Sequence, residues 1–291
     1  MSKRGWALFA VMAVLWGIPY LLIRVAVREL DPGVLVLGRT APAALALLPL
    51  VIVRGLGPTL RRALPWVIAF GVVEFGVPWF LMSTAERHVS SSLTSLVICS
   101  VPLFSVVAQR IRQTDAHISR RRMVGLLTGF LGVVALVGID VHGSSLQWIG
   151  LLAIVCVGYS VGPMILEAKL SHVPGYVVVA GATAFVALAW VPWSVTHWPT
   201  RVHAETIACV AVLSLACTAA AFMTFAALIK EVGTTRSVVV TYANTTVAVI
   251  LGIIGLHEPF TAGIALGFPL VVLGSYLATS RAETPAAVEV P

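Results

Sequence analysis

Charged residues are scarce in this sequence. Of its 291 residues, 19 are Lys or Arg and 12 are Asp or Glu, so 11% are charged, whereas a soluble domain carries about 25%. So few charges cannot cover a globular surface, which excludes a soluble enzyme and a disordered chain. Because 59% of the residues are hydrophobic and the mean hydropathy is +0.99, the composition predicts a polytopic membrane protein.

Cysteine is also scarce, and no polar stretch is long enough to form a soluble domain. The cysteines lie inside apolar runs without the paired loop spacing of a disulfide or zinc site; they are Cys99, Cys156, Cys209 and Cys217. We expect them to be packing thiols. The histidines lack metal-ligand spacing, so neither a metal nor a cofactor is expected. The basic excess lies in short loops without interleaved aromatics, which argues against nucleic acid as a partner.

Long apolar stretches make up most of the chain. Each is about 20 residues long, enough to cross a hydrocarbon core of about 30 Å as a helix, and only a helix satisfies its own backbone groups in lipid. The sequence therefore predicts an all-α membrane protein with ten transmembrane helices, at residues 5–26, 32–53, 65–85, 91–110, 122–139, 146–166, 175–195, 206–228, 236–255 and 261–280.

The basic residues predict the orientation in the membrane. With the N-terminus in the cytoplasm, fourteen Lys and Arg residues fall on the inner side, and the outer side holds Arg24, Arg28, Arg87 and Arg201. The positive-inside rule then places both termini, with the tail 281–291, in the cytoplasm. The expected location is the plasma or inner membrane of the cell.

The chain repeats itself with an offset of 142 residues. This shift places 85–89 on 227–231, the link between the third and fourth spans of each half, and Gly125 on Gly267. The predicted halves are residues 5–139 and 146–280. Because each has five spans, an odd number, the second enters the membrane from the opposite side, as in secondary transporters whose binding site lies between inverted repeats.

Short motifs along the two halves carry a family resemblance. They are Trp16-Gly17, Arg39, Ser90-Ser91-Ser92, Pro102-Leu103, Ser119 with Gly125, Gly132-Val133, and His257-Glu258-Pro259-Phe260-Thr261 with Gly267 and Gly274. In this order they resemble the EamA family of the drug/metabolite transporter superfamily, over about residues 5–280. The chain departs from that pattern at Ala116, where the family has an acidic residue and Asp115 is the nearest acid, and at Asn244, where the family has proline. The resemblance implies an exporter of small metabolites driven by protons or another gradient.

Two charged residues inside predicted spans are the leading functional candidates. Glu74 lies about 14 Å along the third span from Pro65, where an ionised carboxylate costs about 2.5–3.5 kcal/mol. It is either a proton-coupling or substrate-amine site, or a carboxyl that hydrogen-bonds to a neighbouring helix. Arg39 in the second span either pairs with Glu74, extends to the outer interface, or binds a substrate carboxylate.

Aromatic residues and one amide complete the candidate site. Trp16 and Tyr20 share a helix face, and Pro19 between them frees backbone carbonyls. The remaining members of the expected substrate-binding set are Trp79, Tyr159, Tyr242 and Asn244. Their rings are suited to a flat or cationic solute, and each is also suited to ordinary helix packing. For Asn244, a place in the pocket and a bond between helices are equally compatible with the sequence.

These features favour a secondary transporter whose substrate is a small molecule such as an amino acid, a related compound or a drug-like solute. Protons are the candidate coupling ion, the lipid bilayer is the surrounding partner, and the protein is a monomer or a homodimer. A membrane-embedded enzyme would need a catalytic motif, and neither G-x-S-x-G, H-E-x-x-H nor a P-loop occurs. A channel or receptor without carrier activity is the other alternative, although an inverted duplication fits alternating access better.

Overall fold

The computed structural model describes residues 2–111, 120–140, 146–232 and 240–279, and these residues are helical apart from short turns and loops. Within them, seven helices are long and apolar enough to cross a membrane. They are α1 (Lys3–Ala26), α2 (Pro32–Val53), α3 (Gly57–Ala85), α4 (Ser91–Ile111), α6 (Leu146–Leu170), α7 (Gly175–Thr196) and α8 (Ala204–Val232). Three further apolar helices are α5 (Arg120–Asp140), α9 (Val240–Leu256) and α10 (Ala262–Thr279).

Proline and helix capping explain where several helices begin. Asp31 caps α2 by accepting a hydrogen bond from the Gly33 N–H at 2.8 Å, with Pro32 at the first helical position. Ser90 caps α4 in the same way, through the Leu93 N–H at 3.1 Å. The chain therefore turns sharply at 86–90, where the break between the third and fourth spans was predicted.

The predicted bounds of two spans need correction. The third helix begins at Gly57 and not at residue 65, because Pro58 lies in its first turn and Pro65 is accommodated inside it. Glu74 is therefore about 25 Å along α3 from its first residue. The eighth helix continues through Lys230 and Glu231 to Val232, so these charged residues form its last turn and do not break it.

Two of the helices contain a π-helical segment. In α3 the segment is Val72–Gly76, and in α8 it is Val212–Ala220. Such bulges are often found at functional sites because they turn side chains out of the regular helical register. The 142-residue offset places 72–76 on 214–218, so the two irregularities occur at corresponding positions of the predicted halves.

The helices pack mainly in pairs across the two predicted halves. The most extensive contacts join α5 to α10, α2 to α7 and α1 to α9. At the first pair, a Cβ on Gly274 would collide with the backbone of Gly129, so the two helices approach almost backbone to backbone. All four cysteines are buried, as predicted.

Polar contacts hold the predicted outer ends of the helices together. The Arg24 Nη1 donates to the backbone carbonyl of Glu86, and the Arg87 Nη2 donates to the Leu30 carbonyl at 2.8 Å. These arginines bind carbonyls that a helix end leaves without an intrahelical partner. The count of ten crossings, their inverted arrangement and the side on which the termini lie stay predictions; Ala116 and Asp115 lie outside the described residues.

Candidate functional site

Arg39 is a buried cation inside the helical bundle. Its side chain is on α2, and the residue is 7% exposed. The guanidinium carbon lies 3.5 Å from the centroid of the Trp79 ring on α3, and Nε donates to Thr218 Oγ1 on α8 at 3.2 Å. No carboxylate among the described residues lies within ion-pair distance of Arg39. The guanidinium has five N–H donors, so it retains capacity to bind an anion.

An aromatic cluster extends from Trp79 to Trp16. Trp79 lies against Phe75, with ring centroids 4.8 Å apart, and Phe75 meets Phe222 of α8 edge to face at 5.4 Å. Phe222 in turn meets Trp16 at 6.0 Å, and Trp16 also contacts Phe225 at 4.7 Å. Two predicted site residues, Trp16 and Trp79, are thus connected through phenylalanines that sequence reasoning did not single out.

Tyr159 and Tyr20 lie near the same cation. Tyr159 on α6 interacts with the Trp79 indole and is within electrostatic range of both Arg39 and Glu74. Tyr20 on α1 is buried and within electrostatic range of Tyr159. Arg39 therefore contacts Trp79, and Tyr20 and Tyr159 belong to or pack against the same buried cluster as Trp79.

Glu74 faces α6 from the π-helical segment of α3. A Cβ on Gly162 would collide with its carboxylate, so this glycine leaves the room that the Glu74 side chain occupies. The Oε2 atom is buried and has no hydrogen-bond partner among the described residues. The direct ion pair between Arg39 and Glu74, one of the alternatives that the sequence left open, is not formed; Tyr159 is near both.

Tyr242 and Asn244 lie on α9, at a different packing surface. The backbone carbonyl of Asn244 closely faces Gly17 of α1, where a Cβ would come within 2.8 Å of it. The Asn244 side chain is buried and its Oδ1 accepts a hydrogen bond from Thr245 at 3.3 Å. Tyr242 is half-buried on the same helix. These contacts place Asn244 at the junction of α1 and α9.

Sequence reasoning missed two polar residues of the site. Thr218 lies inside an apolar run, and only its spacing of four residues from Ser214 hints that α8 has a polar stripe. Glu86 was assigned to an interhelical break because it adjoins Arg87 and His88. It is in fact 0% exposed, and neither of its carboxylate oxygens has a hydrogen-bond partner among the described residues.

Glu86 follows the last residue of α3, at the predicted outer end of the bundle. It is within electrostatic range of Arg39 and Arg24, and also of Glu258 in the loop between α9 and α10. Tyr20 is within range of the same carboxyl. The site is thus an arginine on an aromatic face, with buried carboxyls at Glu74 and Glu86 nearby. Such an arrangement can bind a small solute that carries charge or a flat polar group.

Comparison with known proteins gives a consistent family match. The model of the EamA-like transporter family matches residues 3–138 and again residues 146–280. The chain is 23% identical over 284 residues to an uncharacterized transporter of Archaeoglobus fulgidus, a match that covers 96% of this chain and 99% of that protein. It is 25% identical over 288 residues to a probable terminal-alkyne amino-acid exporter of Streptantibioticus cattleyicolor, covering 97% of this chain and 95% of that protein.

A solved structure shares the fold. This crystal structure, described only as that of a protein, superposes with a TM-score of 0.66 at 20% sequence identity, and the match covers 96% of this chain and 98% of the other. At this level of identity the likeness concerns the fold alone.

Proposed function

Because the chain belongs to the EamA-like transporter family, we propose that this multi-pass membrane transporter is a secondary active exporter of a small metabolite. It works by alternating access between two inverted halves, residues 5–139 and 146–280, with both termini in the cytoplasm. The double match of the family model, to two stretches of similar length, supports the two halves. The corresponding positions of the π-helical segments in α3 and α8 support them as well.

One observation carries the proposal: the buried guanidinium of Arg39 has no carboxylate partner among the described residues and lies where the two halves meet. The first half contributes Arg39 and Trp79, and the second contributes Thr218 and Tyr159. A cation inside the bilayer is costly, so an arginine at membrane depth is by default a candidate for a functional residue. A site between two halves is exposed to opposite faces when the halves rock.

The proposed cargo is an amino acid or a related compound. Its carboxylate would bind the remaining N–H donors of Arg39, since guanidinium and carboxylate match in geometry. Its side chain would lie against the aromatic cluster of Trp79, Phe75 and Phe222. The name of the Streptantibioticus relative, a probable amino-acid exporter, supports this class of cargo.

Protons are the proposed coupling ion, with Glu74 as the carrier. Its carboxyl lies inside an apolar helix, has an oxygen without a hydrogen-bond partner among the described residues, and is within electrostatic range of Tyr159. Taking up a proton removes the cost of a buried charge, so Glu74 can change its state as the halves move. Tyr159 would then connect proton binding at Glu74 with cargo binding at Arg39.

Counterflow in proteoliposomes tests the proposal. A toxicity screen of metabolites in cells with and without the gene first identifies the cargo class. Vesicles loaded with unlabelled cargo should then accumulate labelled cargo transiently, because a carrier exchanges one molecule for another. Simple equilibration without accumulation would contradict a carrier and favour a channel, and chemical conversion of the label would favour a membrane-embedded enzyme.

A further inference from the structure

Glu258 makes a dense set of hydrogen bonds to two serines of the other half. Its Oε1 accepts from the Ser91 N–H at 2.7 Å and from the Ser91 hydroxyl at 3.0 Å. Its Oε2 accepts from the Ser92 N–H at 3.0 Å and from the Ser92 hydroxyl at 2.6 Å. Each carboxylate oxygen thus accepts two hydrogen bonds from one serine, one from the backbone N–H and one from the side-chain hydroxyl. Hydrogen bonds to an ionised acceptor are about twice as strong as neutral ones.

The chain around Glu258 is shaped to present this carboxylate. The backbone of His257 has a φ of +54°, which residues other than glycine rarely adopt. The backbone N–H of the next residue, Glu258, donates to the Gly252 carbonyl at 3.1 Å. A Cβ on Gly252 would collide with the Ser92 hydroxyl and lie 2.6 Å from Glu258 Oε2. The loop between α9 and α10 is therefore folded onto the first turn of α4, where the helix dipole favours a negative charge.

The first turn of α4 and the α9–α10 loop lie at the predicted outer end of the bundle. Glu86, which follows the last residue of α3, lies at the same end. The hydrogen-bonded contact therefore joins the two predicted halves at the predicted outer end. Immediately below it on α4, Leu96, Val97 and Cys99 are buried.

We propose that the Glu258 carboxylate is a latch that holds the outer face of the transporter closed by binding Ser91 and Ser92. The latch rests on the proposed function, which supplies the orientation in the membrane and the alternating access. Opening to the outside then requires release of all the latch bonds, and closing restores them. The latch joins the second half to the first, so its hydrogen bonds break or form when the two halves move relative to each other.

The sequence has no equivalent carboxylate at the matching place of the other face. The 142-residue offset places Glu258 on Ala116, and Ser91 and Ser92 on Gly233 and Thr234. The nearest acid, Asp115, corresponds to His257 and is therefore one residue away from the position that matches Glu258. We expect the outer face to be the more tightly closed of the two, so that the transporter at rest opens to the cytoplasm, where an exporter takes up its cargo.

A native cysteine below the latch provides the test. In a chain that keeps Cys99 and has Cys156, Cys209 and Cys217 replaced by alanine, a membrane-impermeant thiol reagent is added outside right-side-out vesicles. Glu258→Gln weakens the latch by removing the carboxylate charge, and Cys99 should react at least tenfold faster than in the same chain with Glu258. The matched control is Glu205→Gln, another acid-to-amide change near the predicted outer surface, which should leave the rate within twofold.

Two outcomes would overturn the latch. The first is a Cys99 labelling rate in Glu258→Gln equal to that of the control. The second is acceleration only when the reagent is supplied from the inner face, which would place the contact on the wrong side. Cys99 labelling requires no transport, so it tests the latch independently of the proposed function. Faster labelling in Glu258→Gln together with no counterflow in the wild type would support the latch and contradict the proposed function.

A second variant tests the latch independently in case Glu258→Gln does not fold. Ser91→Ala with Ser92→Ala removes both hydroxyl donors and keeps the backbone N–H donors, and a monodisperse peak in gel filtration establishes that the protein is folded. Cys99 labelling should then be intermediate between the wild-type and Glu258→Gln rates. If Glu258→Gln fails to fold, an unchanged rate in the double serine variant contradicts the latch by itself.

Discussion

In the proposed function, the stacked cation at Arg39 is the residue on which cargo binding depends most. Its guanidinium has a flat face that stacks on Trp79 and an edge of N–H donors, one of which binds Thr218. These two uses need a planar, delocalised charge, which lysine does not provide. The aromatic face and the donors thus make separate demands on the same side chain, and a substitution can remove one of them while keeping the charge.

Arg39→Lys should raise the apparent KM for transport about tenfold, because it keeps the charge and loses stacking and paired donors. Arg39→Gln should reduce transport further, since it also removes the charge. Uptake kinetics in proteoliposomes measure both effects. The matched control is Arg201→Lys at an exposed position, which should transport like the wild type. An unchanged KM in Arg39→Lys would exclude Arg39 from cargo binding.

Glu74→Gln should uncouple transport from the proton gradient. The amide has the size of the carboxyl but takes up no proton, so exchange of cargo continues while its acceleration by an imposed pH gradient is lost. Uptake into vesicles with and without that gradient measures the effect. Glu167→Gln, at an exposed position of α6, is the control. If Glu74→Gln responds to the pH gradient as fully as the wild type, Glu74 is not the residue that couples transport to protons.

At the scale of the element, close approach between helices decides the architecture. Gly129 and Gly274 let α5 and α10 touch at their backbones, Gly17 does the same for α1 and α9, and Gly162 leaves space for Glu74. In lipid the hydrophobic effect does not drive helices together, so packing of small residues has a larger part in their association. The small-residue positions therefore carry the specificity of helix pairing.

Gly274→Leu should separate α5 from α10 and destabilise the protein by about 3 kcal/mol, because the Gly129 backbone cannot move aside as a side chain can. This corresponds to a fall in Tm of about 10 °C, measurable by thermal unfolding in detergent. Gly150→Leu is the control, since a Cβ at Gly150 meets nothing within 4 Å. Equal Tm values for the two variants would show that the two helices are not closely packed.

The loop contact between Glu29 and His203 should make stability depend on pH. The His203 N–H donates to Glu29 at 2.9 Å, and this hydrogen bond is the main cause that lowers the pKa of the Glu29 carboxyl. A lowered pKa stabilises the fold fully above the unfolded value of about 4.3 and ceases to do so as the pH falls through the folded value.

Glu29→Gln should therefore have a lower Tm than the wild type at pH 7, and the two Tm curves should converge below about pH 4. Thermal unfolding of the purified protein across this range measures the difference. Glu205→Gln should follow the wild-type curve. A Tm difference that persists unchanged at about pH 2, below the pKa of an ordinary carboxyl, would show that the Glu29 charge does not contribute.

At the scale of the whole molecule, the proposed mechanism depends on which loops face which side. The predicted orientation puts Gly57 at the inner surface and Arg201 at the outer surface. In a chain whose native cysteines are replaced, Arg201→Cys should react with an impermeant reagent added outside intact cells, and Gly57→Cys should react only after the membrane is opened. Reaction of both from the same side would contradict the topology and with it the direction of the latch.

The sequence by itself determined the class of protein and most of the helices. Hydropathy and charge depend on residues that are close along the chain, so apolar runs and basic loops predict membrane helices without knowledge of their packing. The helix bounds that were wrong lie near Pro65 and near Lys230 and Glu231, where a local break signal competes with helix continuation. The family resemblance also depends only on the order and spacing of short motifs along the chain, and the match of the family model confirmed it.

Only the tertiary structure decided which polar groups meet. Arg39 and Thr218 are 179 residues apart, and Glu258 and Ser91 are 167 apart, so no periodicity along the chain relates them. The burial of Glu86 likewise arises from packing between helices. In the sequence, a carboxyl beside Arg87 and His88 has the pattern of a solvated loop. In the folded bundle it is buried, and Arg24 of α1 donates a hydrogen bond to its backbone carbonyl.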